Sequence, residues 1–380
     1  MTITSTPPTP ANTRAVAQTS RWSQVLTTLL LYVVSISVAL LIAGLLVSLT
    51  GASPWEAVQA IFQGSLSDAA ALGLSLDKAA PLLIVAVGTC IATSAGLFSI
   101  GQEGQVVIGA TVGAMVAIYL HGPGPLILVV TLMGAALGGA AWAAVAALLY
   151  YWRGVPVVIS TLLLVYIAYQ VVFYAVTQPW LLQESGQNVA SPQSDIIRND
   201  AWLPRIGEYP GLNFSSLVVI AVLLAVGARI VLNRTTWGFR LRMLGLNPKA
   251  ARRAGVSAVL LGSLALMISG AFAGFVGGAL LTGGSHRLQP GISENVGWDG
   301  LLVALVARNN PILAIPVAFF FGVLRAGGGF LASTGVPRYI VDVVTAILVL
   351  AIVFPPAYQY LRREIRARRL ARALATGGAA

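Results

Sequence analysis

Five stretches of this 380-residue chain, 22–52, 79–97, 126–150, 157–177 and 257–282, run through apolar sequence without one Asp, Glu, Lys or Arg. The hydrocarbon core of a bilayer takes about 20 such residues as a helix, because a helix bonds its own backbone amides where water cannot. Soluble domains carry roughly a quarter charged residues; this chain carries 9%, with 57% hydrophobic. The fold class that follows is all-α: a polytopic membrane helical bundle of about ten hydrophobic segments, some of them short or broken.

Charge placement orders these segments. The stretch 233–256 holds Arg234, Arg240, Arg242, Lys249, Arg252 and Arg253 with no acid, and 361–373 holds six arginines against Glu364. Basic loops stay in the cytoplasm. By contrast 50–78 and 178–214 carry Glu56, Asp68, Asp77, Glu184, Asp195, Asp200 and Glu208 against Lys78, Arg198 and Arg205, which suits the outer face. Spans near 25–49, 79–97, 105–120, 126–150, 157–177, 215–232 and 257–282 satisfy these signs. A segment at 298–307, too few residues to cross, and further ones at 311–333 and 338–354 bring the tail inside. Parity does not decide whether 298–333 crosses or re-enters. The expected organisation is a Thr/Pro-rich, disordered cytoplasmic tail (1–21), a membrane domain (22–356) and a basic cytoplasmic tail (357–380). Both termini are expected on the cytoplasmic side of the membrane. The net charge of +11 belongs to this pattern and not to a nucleic-acid surface, since the cations flank apolar spans.

Composition narrows the chemistry. Cys90 is the only cysteine and sits inside an apolar run, while His121 and His286 have no second ligand at metal spacing. Ser/His/Asp sets, phosphate loops and dinucleotide fingerprints are missing from the sequence, so no catalysis, metal or cofactor is expected. A pump without a nucleotide site of its own must draw its energy from something else.

The informative anomaly is "SIGQEGQ", residues 99–105, where Glu103 stands between glycines in apolar sequence. A carboxylate placed in hydrocarbon costs roughly 2.5–3.5 kcal/mol on insertion scales, and Gly-rich backbone at that depth needs protein or a wet cavity around it. Two readings stay open: Glu103 and Gln105 satisfy free amides at the start of the following helix, or they face a substrate path. "GWDG" at 297–300 has the same Gly-x-acid-Gly form, and both motifs precede an apolar run and a proline, Pro125 and Pro311. Parity puts the first motif toward the cytoplasm and the second toward the outside, the relation of an inverted internal repeat. Chance matching in Gly-rich sequence gives the same form. Small-residue runs such as 134–141 and 270–279 mean close helix packing. In the basic loop, Asn247-Pro248 starts and Gly255 stops a helix of about two turns, a lipid-facing surface helix or a docking element.

These pieces resemble a known family, the membrane permeases of bacterial ATP-binding-cassette importers in the ribose and branched-chain amino acid group, with the nucleoside-type members nearest. "FSIGQEGQVVIGA" (98–110) is similar to its Asn-Ile-Gly-x-Glu-Gly-Gln signature. "LGLNPKAARRAGV" (244–256) is similar to its cytoplasmic loop, and "GWDGLLVALVARNNP" (297–311) to its Gly-Phe-Asp-Gly segment. The resemblance implies import of a small polar solute, most readily a nucleoside, by alternating access. It also implies partners: cytoplasmic ATPase subunits, a second identical or homologous permease, and an extracytoplasmic binding protein or lipoprotein.

On this reading Ser99, Gln102, Glu103, Gln105, Ser160, Thr161, Tyr166, Asp299, Asn309 and Asn310 border the substrate path or cap helix breaks. Gly245, Asn247, Ala250, Ala251 and Gly255 form the ATPase-docking helix. The chain departs from the family at Ser99 (usually Asn), Val157 (usually Glu) and Val165 (usually Asn), which removes polar groups from a span that could line the path and leaves a sugar or another solute as the alternative cargo. A self-sufficient secondary transporter, with Glu103 and Asp342 coupled to protons, is a second class; a membrane scaffold is a third.

Overall fold

In a computed structural model the described residues are mostly helical. The structure describes residues 30–333, apart from 32, 50, 52, 186–190 and 209–210, and scattered positions from 336 to 358. The expected segment 338–354, Asp342 and the two tails fall mostly or wholly outside the described residues. In order, the helices are α1 (Val33–Ser48), α2 (Pro54–Ser65), α3 (Ala69–Ser94), α4 (Gln102–Tyr119), α5 (Gly124–Arg153), α6 (Val157–Thr177), α7 (Leu217–Arg234), α8 (Thr236–Leu246), α9 (Pro248–Arg253), α10 (Ala258–Leu280), α11 (Val296–Val306) and α12 (Pro311–Ser333). Six of them, α3, α5, α6, α7, α10 and α12, are long and apolar enough to cross a membrane.

The chain divides into two compact units. Residues 60–330 form one; the described residues before 60 and after 330 form the other. In the smaller unit α1 buries Ala39, Ala43 and Val47, a four-residue repeat that marks one helical face.

The larger unit is organised around α10, which packs on α3, α4 and α5. Glycine decides how closely. Gly109 of α4, Gly139 of α5 and Gly274 of α10 face one another backbone to backbone, with no room for a Cβ at any of the three. Hydrophobicity does not drive helices together in lipid, so such small-residue contacts do. Helices α4 and α5 run antiparallel, with Val112 against Gly138 and Val116 against Gly134. Helix α3 is buried on all sides from Ala79 to Ala92.

Several sequence boundaries are corrected. Residues 50–78 are not a loop: α2 occupies 54–65, and α3 starts ten residues before the expected Ala79, because the Asp68 carboxylate caps it by accepting from the Ala71 amide at 2.7 Å. Likewise 233–256 holds two helices, since Thr235 caps α8 through the Gly238 amide before Asn247 caps α9. Hydropathy misses both because their residues are mixed.

The two charged regions sit at opposite ends of α3. At its start, Asp77 accepts from Arg205 Nη2 at 2.7 Å and from the Ser215 amide at 2.6 Å. That holds the short antiparallel hairpin β1 (Arg205–Ile206) and β2 (Phe214–Ser215) of the acidic loop. At its end, the left-handed Gly96 (φ +77°) packs against Gly245 of the basic region. A span separates acidic from basic loops, as charge sorting requires.

Candidate functional site

The site begins where α3 stops. After Gly96 the chain runs through 97–101 without helix, and α4 starts at Gln102 with Gly101 at its cap and no side-chain cap of its own. Ser99 bends the segment by accepting from the Gly101 amide at 3.2 Å, and Thr161 of α6 accepts from the Ile100 amide at 3.2 Å. Gly101 and Gly104 lie against Thr161 and Val165 of α6, where a Cβ would clash at Gly101 and crowd Val165 at Gly104.

Glu103, 1% exposed, does not cap its own helix. Its carboxylate crosses to the start of α11, where Oε2 accepts from the Gly297 amide at 2.7 Å and Oε1 accepts from the Ser293 hydroxyl. The Tyr169 hydroxyl of α6 donates to Oε1 at 3.3 Å and is itself reached by the Trp298 side chain. An anion at a helix N-terminus meets free amides and the positive end of the dipole. Glu103 therefore joins α4, α6 and α11 at one point.

Helix α11 needs that anchor. Its eleven residues span about 16 Å, half a bilayer core. Left-handed pairs bracket it, Glu294 (φ 45°) and Asn295 (φ 63°) before it, Arg308 (φ 53°) and Asn309 (φ 54°) after it. Each non-glycine residue in that conformation costs roughly 1–2 kcal/mol. On its other side Arg325 of α12 holds it, pairing with Asp299 at 2.9 Å and donating to the Glu294 carbonyl at 2.6 Å; Lys78 of α3 pairs with Glu294 at 3.0 Å. Gly297 lies directly on the Glu103 backbone, so "GQEG" and "GWDG" meet in space. Each of the two helices starts after a non-helical segment, and helix breaks that meet are what an inverted repeat places near the membrane midplane.

The other expected site residues divide. Gln102 is buried and donates to Thr89 Oγ1 at 3.2 Å; the Oε1 atoms of Gln102 and Gln105 are buried with no hydrogen-bond partner. Ser160 and Thr161 return their hydroxyls to α6 carbonyls. Asn310 starts α12 by accepting from the Ile312 amide at 3.1 Å, while Asn309 Oδ1 is buried and unpartnered. Tyr166 points away from the group, 62% exposed. Val157 and Val165 lie on the buried face of α6, Val165 against Gly104 of α4.

Glu103's partners Tyr169, Ser293 and Gly297 were not read as a set from sequence. The "GWDG" echo pointed to Gly297 alone; no sequence signal marked Tyr169 or Ser293. Next to Tyr169 opens a cleft of about 410 Å³, lined by Val107, Gln170, Phe173, Gln289, Pro290 and Ile292 among others.

At the far end, Asn247 accepts from the Lys249 and Ala250 amides at 3.1 Å, starting α9, and Gly255 (φ +79°) stops it. Gly245 and Ala251 face inward, Gly245 against 94–96, so the outer surface belongs to Ala250, Arg252, Arg253 and Leu246, the last 88% exposed.

Residues 72–353 match the family described as branched-chain amino acid transport system / permease component. The chain belongs to that family. Among curated relatives, the permease is 29% identical to the glucose ABC transporter permease protein TsgB13 of Haloferax volcanii, over 91% of this chain and 93% of that one. It is 27% identical to the guanosine ABC transporter permease protein NupP of Bacillus subtilis, over 89% and 97%. The nucleoside ABC transporter permease protein NupB of Lactococcus lactis is also 27% identical, over 83% and 88%. No solved structure matches. The permease is thus a multi-pass membrane transport protein, as its apolar helices indicate.

Proposed function

We propose that this chain is the membrane-spanning subunit of an ATP-driven importer that carries a nucleoside into the cell. The observation that carries the reading is similarity over most of the chain to permeases named for nucleoside and guanosine transport, in a chain whose short helix α11 is pinned to α4 by one buried carboxylate. ATP hydrolysis belongs to separate cytoplasmic subunits that dock on α9 and its exposed neighbour Leu246. A second permease and an extracytoplasmic binding protein complete the machine, and both termini lie in the cytoplasm. In the transport cycle, Glu103 holds the starts of α4 and α11 as one body, so that tilting of either moves the other.

A sugar is the second reading, favoured by the similarity to a permease named for glucose. Uptake of labelled guanosine, uridine and glucose into vesicles holding the assembled transporter, its binding protein and internal ATP separates the two. Saturable nucleoside uptake that glucose does not inhibit supports the first; glucose uptake without nucleoside uptake overturns it. Uptake by the purified chain alone under a proton gradient would instead favour a secondary transporter.

A further inference from the structure

Helix α6 carries an unexplained polar face. Its buried side reads Val157, Ser160, Thr161, Leu164, Val165, Ala168 and Val172 in helical period. On the side turned away from the chain's own core, Tyr166, Gln170 and Tyr174 follow one another at four-residue spacing, all exposed. Their exposed neighbours Ile167 and Val171 are the apolar residues expected against lipid. Gln170 lies seven residues short of the end of α6, about 10 Å along the helix, where an amide facing hydrocarbon would lose its hydrogen bonds.

We propose that the cleft between α6 and residues 289–292 receives the flat, polar base of the transported solute, with the Tyr166–Gln170–Tyr174 stripe forming the wall of its route. The assignment rests on the nucleoside reading above. The cleft's volume of about 410 Å³ falls within the roughly 300–1,000 Å³ of small-molecule sites. Its lining combines aromatic side chains, Tyr169 and Phe173, with the amides of Gln170 and Gln289. Rings stack on a base of any sequence, and an amide offers the paired donor and acceptor that a base edge presents. A bare sugar uses the amides but has no π face for the rings.

The cleft is also wired to the helix break. Tyr169 lines it and donates to Glu103, which caps α11. A solute seated there touches the residue that links α6 to both broken helices.

The test uses the complete transporter with binding protein and ATPase. Gln170→Leu, Gln289→Leu and Phe173→Ala are each expected to raise KM for nucleoside uptake about tenfold or more, at unchanged membrane insertion. They should also flatten discrimination between purine and pyrimidine nucleosides in competition. With the buried Cys90 as the only native thiol, Gln170→Cys is expected to react with a water-soluble thiosulfonate and to be protected by saturating nucleoside, whereas Ile167→Cys stays unreactive. Wild-type KM and competition profiles in the three variants, or labelling at position 170 that nucleoside leaves unchanged, would overturn the site. A wild-type transporter that carries no nucleoside fails the functional reading instead, before any variant is compared.

Discussion

Removing Glu103 tests the anchoring role most directly. Two of its hydrogen bonds, from the Gly297 amide and the Ser293 hydroxyl, are buried; the third, from Tyr169, is longer and half-exposed. Bonds to a charged acceptor contribute about 1.5–3 kcal/mol each, so Glu103→Ala is expected to cost about 3–6 kcal/mol and to free the start of α11. Glu103→Gln fits the same space: its carbonyl accepts from Gly297, and its NH2 group donates to Ser293 or Tyr169, whose hydroxyls rotate to accept. Only charge assistance is lost, about 1–2 kcal/mol. Melting of the detergent-purified chain should therefore fall strongly for the alanine variant and slightly for glutamine, and uptake by the assembled transporter should survive in Glu103→Gln. A folded Glu103→Gln protein without uptake would show that transport needs the carboxylate itself and not only a hydrogen-bonding side chain of its shape. An alanine variant as stable as the parent would show that α11 does not depend on it. Either result refutes the anchoring argument.

Gly297→Ala is expected to destabilise the chain by about 1–3 kcal/mol, because its Cβ meets the Glu103 backbone; Gly227→Ala in α7, with nothing within 4 Å, should be neutral or stabilising by up to about 1 kcal/mol, and the pair can be compared by melting. Leu246→Glu at the 88% exposed corner before α9 should leave folding intact and abolish co-purification of the ATPase, while Asn247→Ala should weaken it by loosening α9 at a cost of about 1 kcal/mol. His286 stacks on Trp202 at 3.7 Å with the rings 13° from parallel, and burial pulls its pKa below the ordinary imidazole value. The unfolded chain then binds this proton more readily, so stability should fall as pH drops below about 6.5. His286→Phe should flatten that acid limb in a melting series, and an unchanged limb would exclude His286 as its source.

Much of this was legible in the chain itself. Uncharged apolar length alone set α5, α6 and α10 to within a few residues, and apolar length with one internal Arg set α12, because a span must satisfy its own backbone wherever it lies. Asn247-Pro248 and Gly255 bounded α9 by local cap and turn chemistry, which needs no distant partner. "SIGQEGQ" announced a helix break for the same reason: glycine and a carboxylate in apolar sequence are costly wherever they fall. What the break holds together was decided only in three dimensions. The anion of Glu103 looks like a cap for α4, yet it caps α11 almost two hundred residues later, because an N-terminus binds whichever carboxylate packing brings to it. Tyr166 and Tyr169 are equivalent by composition; the rotation of α6 against α4 sends Tyr169 to Glu103 and Tyr166 outward. Charge counts register crossings, so they could not say that "GWDG" and "GQEG" meet, as packing shows. Sequence determined that this chain crosses the membrane and where it must break; the packing of glycine faces determined which breaks meet.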